Sequence, residues 1–454
     1  MKKTLFFIIL IHALKSFPIV PVTKGKDDIQ LLESLTSQQQ ITYKNLSLSF
    51  QESLKKYLLD DPEQRLSPFF KINNYFLPSV RFWFKIYSEH SKDFIIIHDK
   101  NNLNIIYDAV NFQELTNSNL NRYTKVNLQT DIVRERLKNI RSSIKQLINN
   151  KNSPKIDNII INALNRAELT LPKNQIKRNL FLESLLTNLR SQTGQKDVVI
   201  GAMRKYQLYQ KTVEKLITLF QLPKEVISIP FVESSFNTGA ESKASAVGAW
   251  QFVKRTGKKF MTIRKDYDQR INPIISTLSA LHLLKQNFSV LKDWPLSITA
   301  YNSGTKNLFK IYKHFKNKEN KLQFYFENHP HPNIAFASKN YYAEFLAMTY
   351  ALNYSDMIFK DIEQSNYPDL KIYISLCNIW PAKLFKGLKT SDPNIFKTNT
   401  HFKNHKKKYP RGSILISTSD LNPKKFYKIE SQYLTTYYPK NFFKLIKNHN
   451  CSNK

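Results

Sequence analysis

The pattern of apolar and polar positions changes near residue 66, where a polar stretch gives way to a dense aromatic and aliphatic block. Two short β-type runs follow this block, FIIIH at 94–98 and LNIIY at 103–107, and the intervening DKNN supplies turn residues. These features predict a β-hairpin. Helical spacing of Val, Leu and Ile then recurs in four segments, which are 131–149, 155–171, 181–189 and 198–219.

The middle of the chain, 225–354, predicts helices joined by short polar connections. Pro273 and Pro295 each stand at the start of a predicted helix, where proline is tolerated because the first N–H groups have no helical acceptor. Beyond this part the sequence is basic and less periodic, with a short helix predicted at 381–389 and a strand at 413–417. We therefore expect a mainly α fold, in which a helical region with one hairpin precedes a helical central domain and a small C-terminal module follows.

The N-terminus has the form of a secretory signal. Lys2 and Lys3 precede a short apolar run at 5–14, which cannot span a bilayer. The alternative is an apolar N-terminus that is not cleaved, and membrane association stays open. The expected segments are a signal at 1–17, a polar leader or linker at 18–65, an accessory domain at 66–221, the central domain at 222–358, a small module at 359–420 and a basic tail at 421–454.

The composition shows a strong excess of positive charge, with 69 Lys and Arg against 35 Asp and Glu and a formal net charge of +34. Such a surface attracts polyanions, among them nucleic acids, acidic lipid headgroups and anionic cell-wall polymers. A genome-wide preference for lysine explains the excess equally well, and no recognised nucleic-acid motif accompanies it. Cys377 and Cys451 lack metal-type spacing, so one disulfide or two free thiols are both allowed.

The candidate chemistry begins with Glu233, in the stretch IPFVESSF. A carboxyl group held against apolar walls has its charged form disfavoured, so its pKa rises toward the range that suits a general acid. Taken alone, a Glu at a helix end is more often a cap or an ion-pair partner. No other acidic residue nearby, including Glu241 and Asp293, has a comparable apolar frame.

Three further segments change that assessment. The stretch SAVGAWQF contains Gly248, which would let a sugar approach the backbone, and Gln251, whose amide can bind acetamido or hydroxyl groups. The stretch TAYNSG ends a predicted helix with Tyr301 and Asn302, and FASKNYYAEF contains a tyrosine pair. Taken alone, each of these three stretches is explained by helix capping or by packing in the core.

Together, the ESSF, GAWQF and ITAYNSG motifs, in this order and at these intervals, resemble the lytic transglycosylases of the soluble lytic transglycosylase superfamily. The branch similar to membrane-bound lytic transglycosylase D also matches the connecting text and FASKNYYAEFLA. Upstream, VRFWFKIYSEH and LRSQTGQKD resemble the accessory region of this branch. The resemblance covers 68–354 and implies a lysozyme-like helical catalytic domain; the module at 374–417 faintly resembles a LysM-like domain.

The resemblance assigns roles to individual residues. Glu233 matches the single catalytic acid/base, and the remaining matches bind substrate or orient that carboxyl group: Ser234, Gly248, Gln251, Tyr301, Asn302, Tyr341 and Tyr342. Which of the two tyrosines reaches the site stays open. Ala249 departs slightly from the family pattern and affects packing more than chemistry.

The resemblance also implies the reaction and its setting. We expect non-hydrolytic cleavage of the bond between MurNAc and GlcNAc in peptidoglycan glycan strands, with 1,6-anhydro ends as product. No metal or organic cofactor is required, and we expect an exported, monomeric envelope protein that does not bind nucleic acid. The alternatives are a muramidase that uses water, similar to goose-type lysozyme, and a catalytically silent cationic glycan-binding protein.

Overall fold

Helices dominate the protein, so the mainly α fold class expected from the sequence is confirmed. The structure is a computed structural model that describes residues 56–149, 154–328, 336–360, 362–449 and 451. The expected signal at 1–17 and most of the expected leader lie outside these residues. Within the described ranges, no helix is both long and apolar enough to cross a membrane.

The accessory region combines helices with a small antiparallel sheet of order β2-β1-β3. Its elements, after a 3-10 turn at Pro68–Phe70, are α1 (Leu77–Ser88), β1 (Phe94–Asp99), β2 (Ile106–Asn111), α2 (Gln113–Asn117), α3 (Arg122–Ile148), α4 (Pro154–Arg166), α5 (Gln175–Asn188), β3 (Leu189–Thr193) and α6 (Lys196–Leu219).

The predicted hairpin is present, but its second strand begins three residues later than the pattern indicated. Asp99 causes the delay, because its Oδ1 accepts hydrogen bonds from the backbone N–H groups of Asn101 and Asn102 at 2.7 and 2.8 Å. The third strand, β3, was not predicted, and the helix predicted at 181–189 ends just before it. Leu189 adopts an extended conformation, and Ile97 of β1 pairs with Ser191.

The central domain holds the elements that carry the candidate chemistry. They are a 3-10 turn at Lys224–Ile227, α7 (Ser228–Ser234), the two-residue strands β4 (Ala246–Val247) and β5 (Phe252–Val253), α8 (Lys254–Phe260), a 3-10 turn at Gln269–Ile271, α9 (Pro273–Leu291), α10 (Trp294–Ser303), α11 (Thr305–His314), α12 (Lys321–Asn328), α13 (Phe336–Asn353) and α14 (Ser355–Ile358).

The central domain and much of the accessory region share one hydrophobic core. Helix α1 packs along α13, and α6 packs against α9. Leu58 and Leu59 are also buried in this core, so the final ten residues of the expected linker, 56–65, pack on the domain instead of forming a loose connection. A separate small core lies among α3, α4, α5 and the sheet. The expected boundary near 221 therefore does not separate two hydrophobic cores.

The C-terminal part begins with a strand–helix–helix–strand unit and ends in short helices. Its elements are β6 (Lys371–Ser375), α15 (Pro381–Leu388), α16 (Ile395–Thr398), β7 (Ile414–Ser417), β8 (Phe426–Lys428), α17 (Ser431–Thr436) and a 3-10 helix at Pro439–Ile446. The three strands are antiparallel in the order β7-β6-β8. A disulfide joins Cys377 to Cys451, which decides between the two states that the sequence left open.

This C-terminal unit is fastened to the central domain through buried polar groups. Asn272, the N-cap of α9, donates from its side-chain amide to the backbone carbonyl of Thr398 at 2.7 Å. The same amide nitrogen lies 2.9 Å from Nδ1 of His401, and the other ring nitrogen of His401 lies 2.9 Å from the carbonyl oxygen of Ile414. Burial lowers the pKa of His401 to about 4, so the histidine is neutral at physiological pH.

Candidate active site

Glu233 lies in the last turn of α7, at the point where this short helix is forced to stop. Ser235 and Phe236 both have left-handed backbone conformations, with φ of 52° and 51°. The helix cannot continue through them, and the side chain of Phe236 is fully buried beneath the turn. Glu233 is therefore held at the edge of the domain, partly exposed, while the residues around it are fixed in the core.

The carboxyl group of Glu233 receives a hydrogen bond from a buried tyrosine. The hydroxyl of Tyr341, on α13, donates to Glu233 Oε1 at 2.8 Å. Desolvation of the carboxyl group raises its pKa to about 7, and the hydrogen bond from Tyr341 opposes that rise. Near neutral pH the group is present in both its protonated and its ionised form, as a residue that first donates and then accepts a proton requires.

Ser234 connects the first motif with the second. Its hydroxyl donates to the backbone carbonyl of Ala249 at 2.9 Å and accepts a hydrogen bond from the backbone N–H of Asn237 at 3.0 Å. Trp250, the next residue of the second motif, is fully buried, and its indole N–H donates to Thr277 Oγ1 on α9 at 2.9 Å. These bonds fix the GAWQF loop directly beside the helix end that carries Glu233.

Gly248 is required by the packing of this loop against protein backbone. Its φ is +83°, and a Cβ atom at this position would lie 2.0 Å from the carbonyl oxygen of Arg270. The sequence suggested that the missing side chain makes room for a sugar, whereas the structure fills that room with the Arg270 peptide. Gln251, also left-handed at φ 47°, donates from Nε2 to the Gly248 carbonyl at 2.9 Å and is half-buried.

Tyr301 and Asn302 end α10 on the side of the GAWQF loop. The hydroxyl of Tyr301 donates to the backbone carbonyl of Trp250 at 2.7 Å, so its direct hydrogen bond is to the loop. Desolvation, followed by the charge of Glu233, raises the pKa of Tyr301 well above its ordinary value. Tyr301 therefore lies within electrostatic range of the carboxyl group, and Asn302 beside it is buried.

The two adjacent tyrosines of α13 occupy different surroundings. Tyr341 contacts Glu233, whereas Tyr342 packs into the core, with its ring centroid 5.1 Å from that of Phe76 on the accessory side and 6.2 Å from that of Phe345. Successive residues of a helix point about 100° apart, so only one of the pair can face the carboxyl group. In this structure that residue is Tyr341.

Glu344, also on α13, is a buried acidic residue that the sequence reasoning missed. It is 4% exposed, and its Oε1 has no hydrogen-bond partner among the described residues. Burial, followed by the charge of Glu233, raises the pKa of Glu344 to about 8. The signal was present in the sequence as an acidic residue within the apolar stretch YYAEFLAM, which is the same pattern that singled out Glu233.

Comparisons with known proteins match the part of the chain that contains most of these residues. The transglycosylase SLT domain family matches residues 220–324, which include Glu233 and the second and third motifs. The membrane-bound lytic murein transglycosylase D of Escherichia coli K12 is 30% identical over 139 residues, and the same enzyme of Escherichia coli O6:H1 matches equally. The match covers 30% of this chain and 30% of either relative, so the chain spans less than a third of their length.

The family match ends before α13, so the domain family alone does not account for Tyr341. The sequence motifs, the helical fold and the two relatives nevertheless point to the same superfamily. The resemblance drawn from the motifs is confirmed: residues 220–324 match the transglycosylase SLT domain family, and part of the chain is similar to membrane-bound lytic murein transglycosylase D.

Proposed function

We propose that this protein is a peptidoglycan lytic transglycosylase in which Glu233 serves as both acid and base. The observation that carries the proposal is the pairing of Glu233 with the buried hydroxyl of Tyr341 at 2.8 Å, at a partly exposed helix end where the pKa of the carboxyl group is about 7. The SLT domain match supports the same reaction class.

The proposed reaction begins with protonated Glu233. The carboxyl group donates its proton to the glycosidic oxygen as the bond from the MurNAc anomeric carbon to that oxygen breaks, and GlcNAc leaves as a neutral alcohol. The acetamido group of the substrate stabilises the positive charge that develops at the anomeric carbon. The ionised Glu233 then removes the proton of the MurNAc 6-hydroxyl while that oxygen bonds to the anomeric carbon. A 1,6-anhydro ring forms without water, and Glu233 regains its proton.

The surroundings of Glu233 suit this sequence of steps. Tyr341 donates to the carboxylate that exists between the two proton transfers, which lowers the free energy of that state. Phe236, in the turn that ends α7, and Trp250, in the neighbouring GAWQF loop, are both fully buried. Gln251 follows Trp250, and Asn302 follows Tyr301, whose hydroxyl donates to the Trp250 carbonyl. We assign both amides to the sugar substituents.

Hydrolysis is the alternative reaction, and it needs a second carboxylate to position water. Glu344 is the one further acidic residue whose pKa shift among the described residues depends on the charge of Glu233. Its pKa of about 8 and its nearly complete burial keep it neutral and away from solvent at neutral pH. A neutral buried carboxyl group is a poor general base, so intramolecular transfer is the better supported reaction.

The cellular setting belongs to the same proposal. The Cys377–Cys451 disulfide suits an oxidising compartment such as the cell envelope. The net charge of +34 suits docking on anionic envelope polymers near the peptidoglycan substrate. We assign the strand–helix–helix–strand unit at 371–417 to a LysM-like module that would help to hold the enzyme on the wall.

The test is product analysis with purified sacculi. Glu233→Gln should preserve the fold by circular dichroism and reduce release of 1,6-anhydromuropeptides by at least roughly 100-fold, since general acid–base catalysis contributes that much or more. Glu241→Gln is the matched control, because Glu241 is an exposed acidic residue in the next loop, and it should release products at the wild-type rate. Reducing ends from the wild type would indicate a muramidase, and no products would indicate a glycan-binding protein.

A further inference from the structure

A second candidate site lies where the central domain meets the C-terminal unit. A cavity of about 210 Å³ is lined there by three segments that are distant in sequence. They are the loop at 262–269, the residues 410–413 that precede β7, and the first turns of the 3-10 helix at Pro439–Ile446. None of the residues assigned to the candidate active site lines this cavity, so a ligand bound in it is separate from the substrate at Glu233.

The charged side chains among the described residues that line the cavity are all basic, namely Arg264, Arg411 and Lys440. Asp266 lies beside this group, but its carboxylate is shared between Arg264 Nε at 3.7 Å and Lys407 Nζ at 2.8 Å. Lys407 balances the charge of Asp266, so the cavity keeps the positive charge of its lining residues. Like charges around one small cavity repel each other, and a bound anion relieves that repulsion.

Arg411 is held in place by the C-terminal tail, and part of its guanidinium group remains available to a ligand. Its Nη2 donates to the backbone carbonyls of Ile446 and His449, in the tail that the Cys377–Cys451 disulfide closes. Its Nε and Nη1 donate to no acceptor among the described residues. A guanidinium group has five N–H donors, so the remaining ones can bind an anion. Because the tail fixes this cation before a ligand arrives, less entropy is lost on binding.

The hydroxyl of Tyr267 adds a neutral donor to the same cavity. Tyr267 is 3% exposed, and its oxygen accepts hydrogen bonds from the Ile414 N–H at 3.0 Å and from Gln269 Nε2 at 3.2 Å. Within the described ranges this hydroxyl donates to no group. Lys440 Nζ donates to the Lys258 carbonyl at 3.3 Å, which leaves further N–H groups on its ammonium. The cavity therefore presents cationic and neutral donors together, as recognition of an oxyanion requires.

We propose that this cavity binds a phosphate group, with Arg264, Arg411 and Lys440 around it and the Tyr267 hydroxyl as a further donor. A tetrahedral phosphate presents oxygens in several directions, whereas a carboxylate presents two in one plane. Donors that come from three separate segments therefore fit phosphate better. Pockets for drug-sized ligands measure roughly 300–1,000 Å³, so this smaller cavity fits one phosphate with a short carbon chain. Phe443, which lines the cavity and is 50% exposed, gives that chain an apolar contact.

Two sources share this chemistry, a soluble phosphate ester and the head group of an anionic phospholipid. In either case the phosphate bridges two parts of the protein, because Arg264 belongs to the central domain, whereas Arg411 and Lys440 belong to the C-terminal unit. The inference goes beyond the proposed function and does not rest on it. Glu233→Gln should therefore bind phosphate with the wild-type Kd, so loss of transglycosylase activity and loss of this site are distinguished.

Isothermal titration calorimetry of the full chain at constant ionic strength tests the site, with inorganic phosphate and glycerol 3-phosphate as probes. We expect a single binding site for each probe. In Arg264→Gln/Lys440→Gln both Kd values should rise by at least roughly tenfold, because charge-assisted donors are lost. The matched control is Lys424→Gln/Lys425→Gln, which removes two exposed lysines of the C-terminal unit that do not line the cavity. Its Kd values should stay within about twofold of wild type, since salt screens distant surface charges.

Hydrogen exchange of the wild type locates the phosphate without a variant, which keeps the test valid if circular dichroism shows that Arg264→Gln/Lys440→Gln does not fold. Added phosphate should slow exchange at 262–267, 410–413 and 439–443. Co-sedimentation with phosphatidylglycerol vesicles, compared with phosphatidylcholine vesicles, distinguishes the two sources. Weaker co-sedimentation of Arg264→Gln/Lys440→Gln than of the control variant indicates a lipid head group, and equal co-sedimentation indicates a soluble ester; both results support the site if calorimetry detects it.

Three results overturn the inference. The first is a wild-type protein that shows no binding of either probe at constant ionic strength. The second is an equal rise of Kd in the two double variants, which would mean that phosphate is attracted by the net charge of +34 in general. The third is hydrogen exchange that phosphate leaves unchanged in all three lining segments.

Discussion

Replacing Tyr341 with phenylalanine removes one atom from the site and one hydrogen bond from Glu233. The hydroxyl oxygen of Tyr341 lies 2.8 Å from Glu233 Oε1, and the tyrosine side chain is 3% exposed. Because the position is buried, water cannot easily replace the lost donor. The ring remains, so the apolar wall and the packing of α13 should be preserved.

The expected effect follows from the direction in which this hydrogen bond acts. The bond lowers the pKa of Glu233 against the desolvation that raises it to about 7, so its loss should raise the pKa further. A hydrogen bond to a charged group contributes roughly 1.5–3 kcal/mol, and one pKa unit corresponds to about 1.4 kcal/mol. Since protonated Glu233 can also accept the bond, we expect an upward shift of roughly one unit.

The assay is the pH profile of 1,6-anhydromuropeptide release from sacculi. In Tyr341→Phe the alkaline limb should move upward by about one pH unit, because Glu233 keeps its proton to higher pH. The plateau rate should fall by up to roughly tenfold, because the carboxylate formed after proton donation has lost its donor. Tyr342→Phe is the matched control: it removes a hydroxyl from the next residue, which packs on Phe76, and its limb should stay at the wild-type pH.

The reasoning is refuted if the limb of Tyr341→Phe stays in place or moves to lower pH. A downward shift would mean that the tyrosine hydroxyl does not stabilise the carboxylate. An equal shift in Tyr342→Phe would show that the change arises from general loosening of α13. Equal melting temperatures for the two variants would exclude different losses of stability as the cause.

Three further predictions concern stability. Glu233→Gln should raise the free energy of unfolding at pH 8 by roughly 1–3 kcal/mol and leave it nearly unchanged at pH 4, since a raised carboxyl pKa costs stability as pH rises toward about 7; chemical denaturation at the two pH values measures this. Gly248→Ala should lower the free energy of unfolding by at least about 2 kcal/mol, because its Cβ would overlap the Arg270 carbonyl. Its control is Gly201→Ala in α6, where a Cβ meets open space; this variant should be neutral or stabilising by up to about 1 kcal/mol in the same assay. Cys377→Ser should lower the free energy of unfolding by up to roughly 4 kcal/mol, because the disulfide closes a loop with a sequence separation of 74. Equal thermal stability of the oxidised and reduced wild-type protein would contradict this prediction.

Much of the fold could be predicted because the apolar spacing of its helices is regular. The helices beginning at Pro273 and near Pro295 were predicted close to their observed starts, since proline and the preceding N-cap mark them locally. Strand β3 was missed because its pairing with β1 is a long-range contact across roughly 90 residues, and nothing within Leu189–Thr193 announces it. The shared core was missed for the same reason, as local patterns do not reveal which helices pack together.

Site residues that belong to a local sequence motif could be predicted, whereas contacts that depend on how the helices pack could not. The ESSF and GAWQF stretches identify Glu233 and its neighbouring loop. The space beside Gly248, which the sequence assigned to a sugar, contains the Arg270 backbone. Sequence left Tyr341 and Tyr342 undecided, because their orientations depend on how α13 is rotated against α7 and α1. Glu344 was overlooked although it stands within the apolar stretch YYAEFLAM, and the folded chain shows that it is buried.

The candidate site around Glu233 includes parts of the protein that lie outside the SLT domain match. That match ends at residue 324, whereas the hydroxyl that contacts Glu233 comes from α13, which is packed along α1 of the accessory region. The backbone of Arg270 packs against Gly248 of the GAWQF loop, and Asn272, two residues further on, is bonded to the C-terminal unit. Elements beside Glu233 and its neighbouring loop therefore share a core with the accessory region and buried polar bonds with the C-terminal unit. A separate central domain would expose the apolar face of α13 and lose the surface that orients Tyr341.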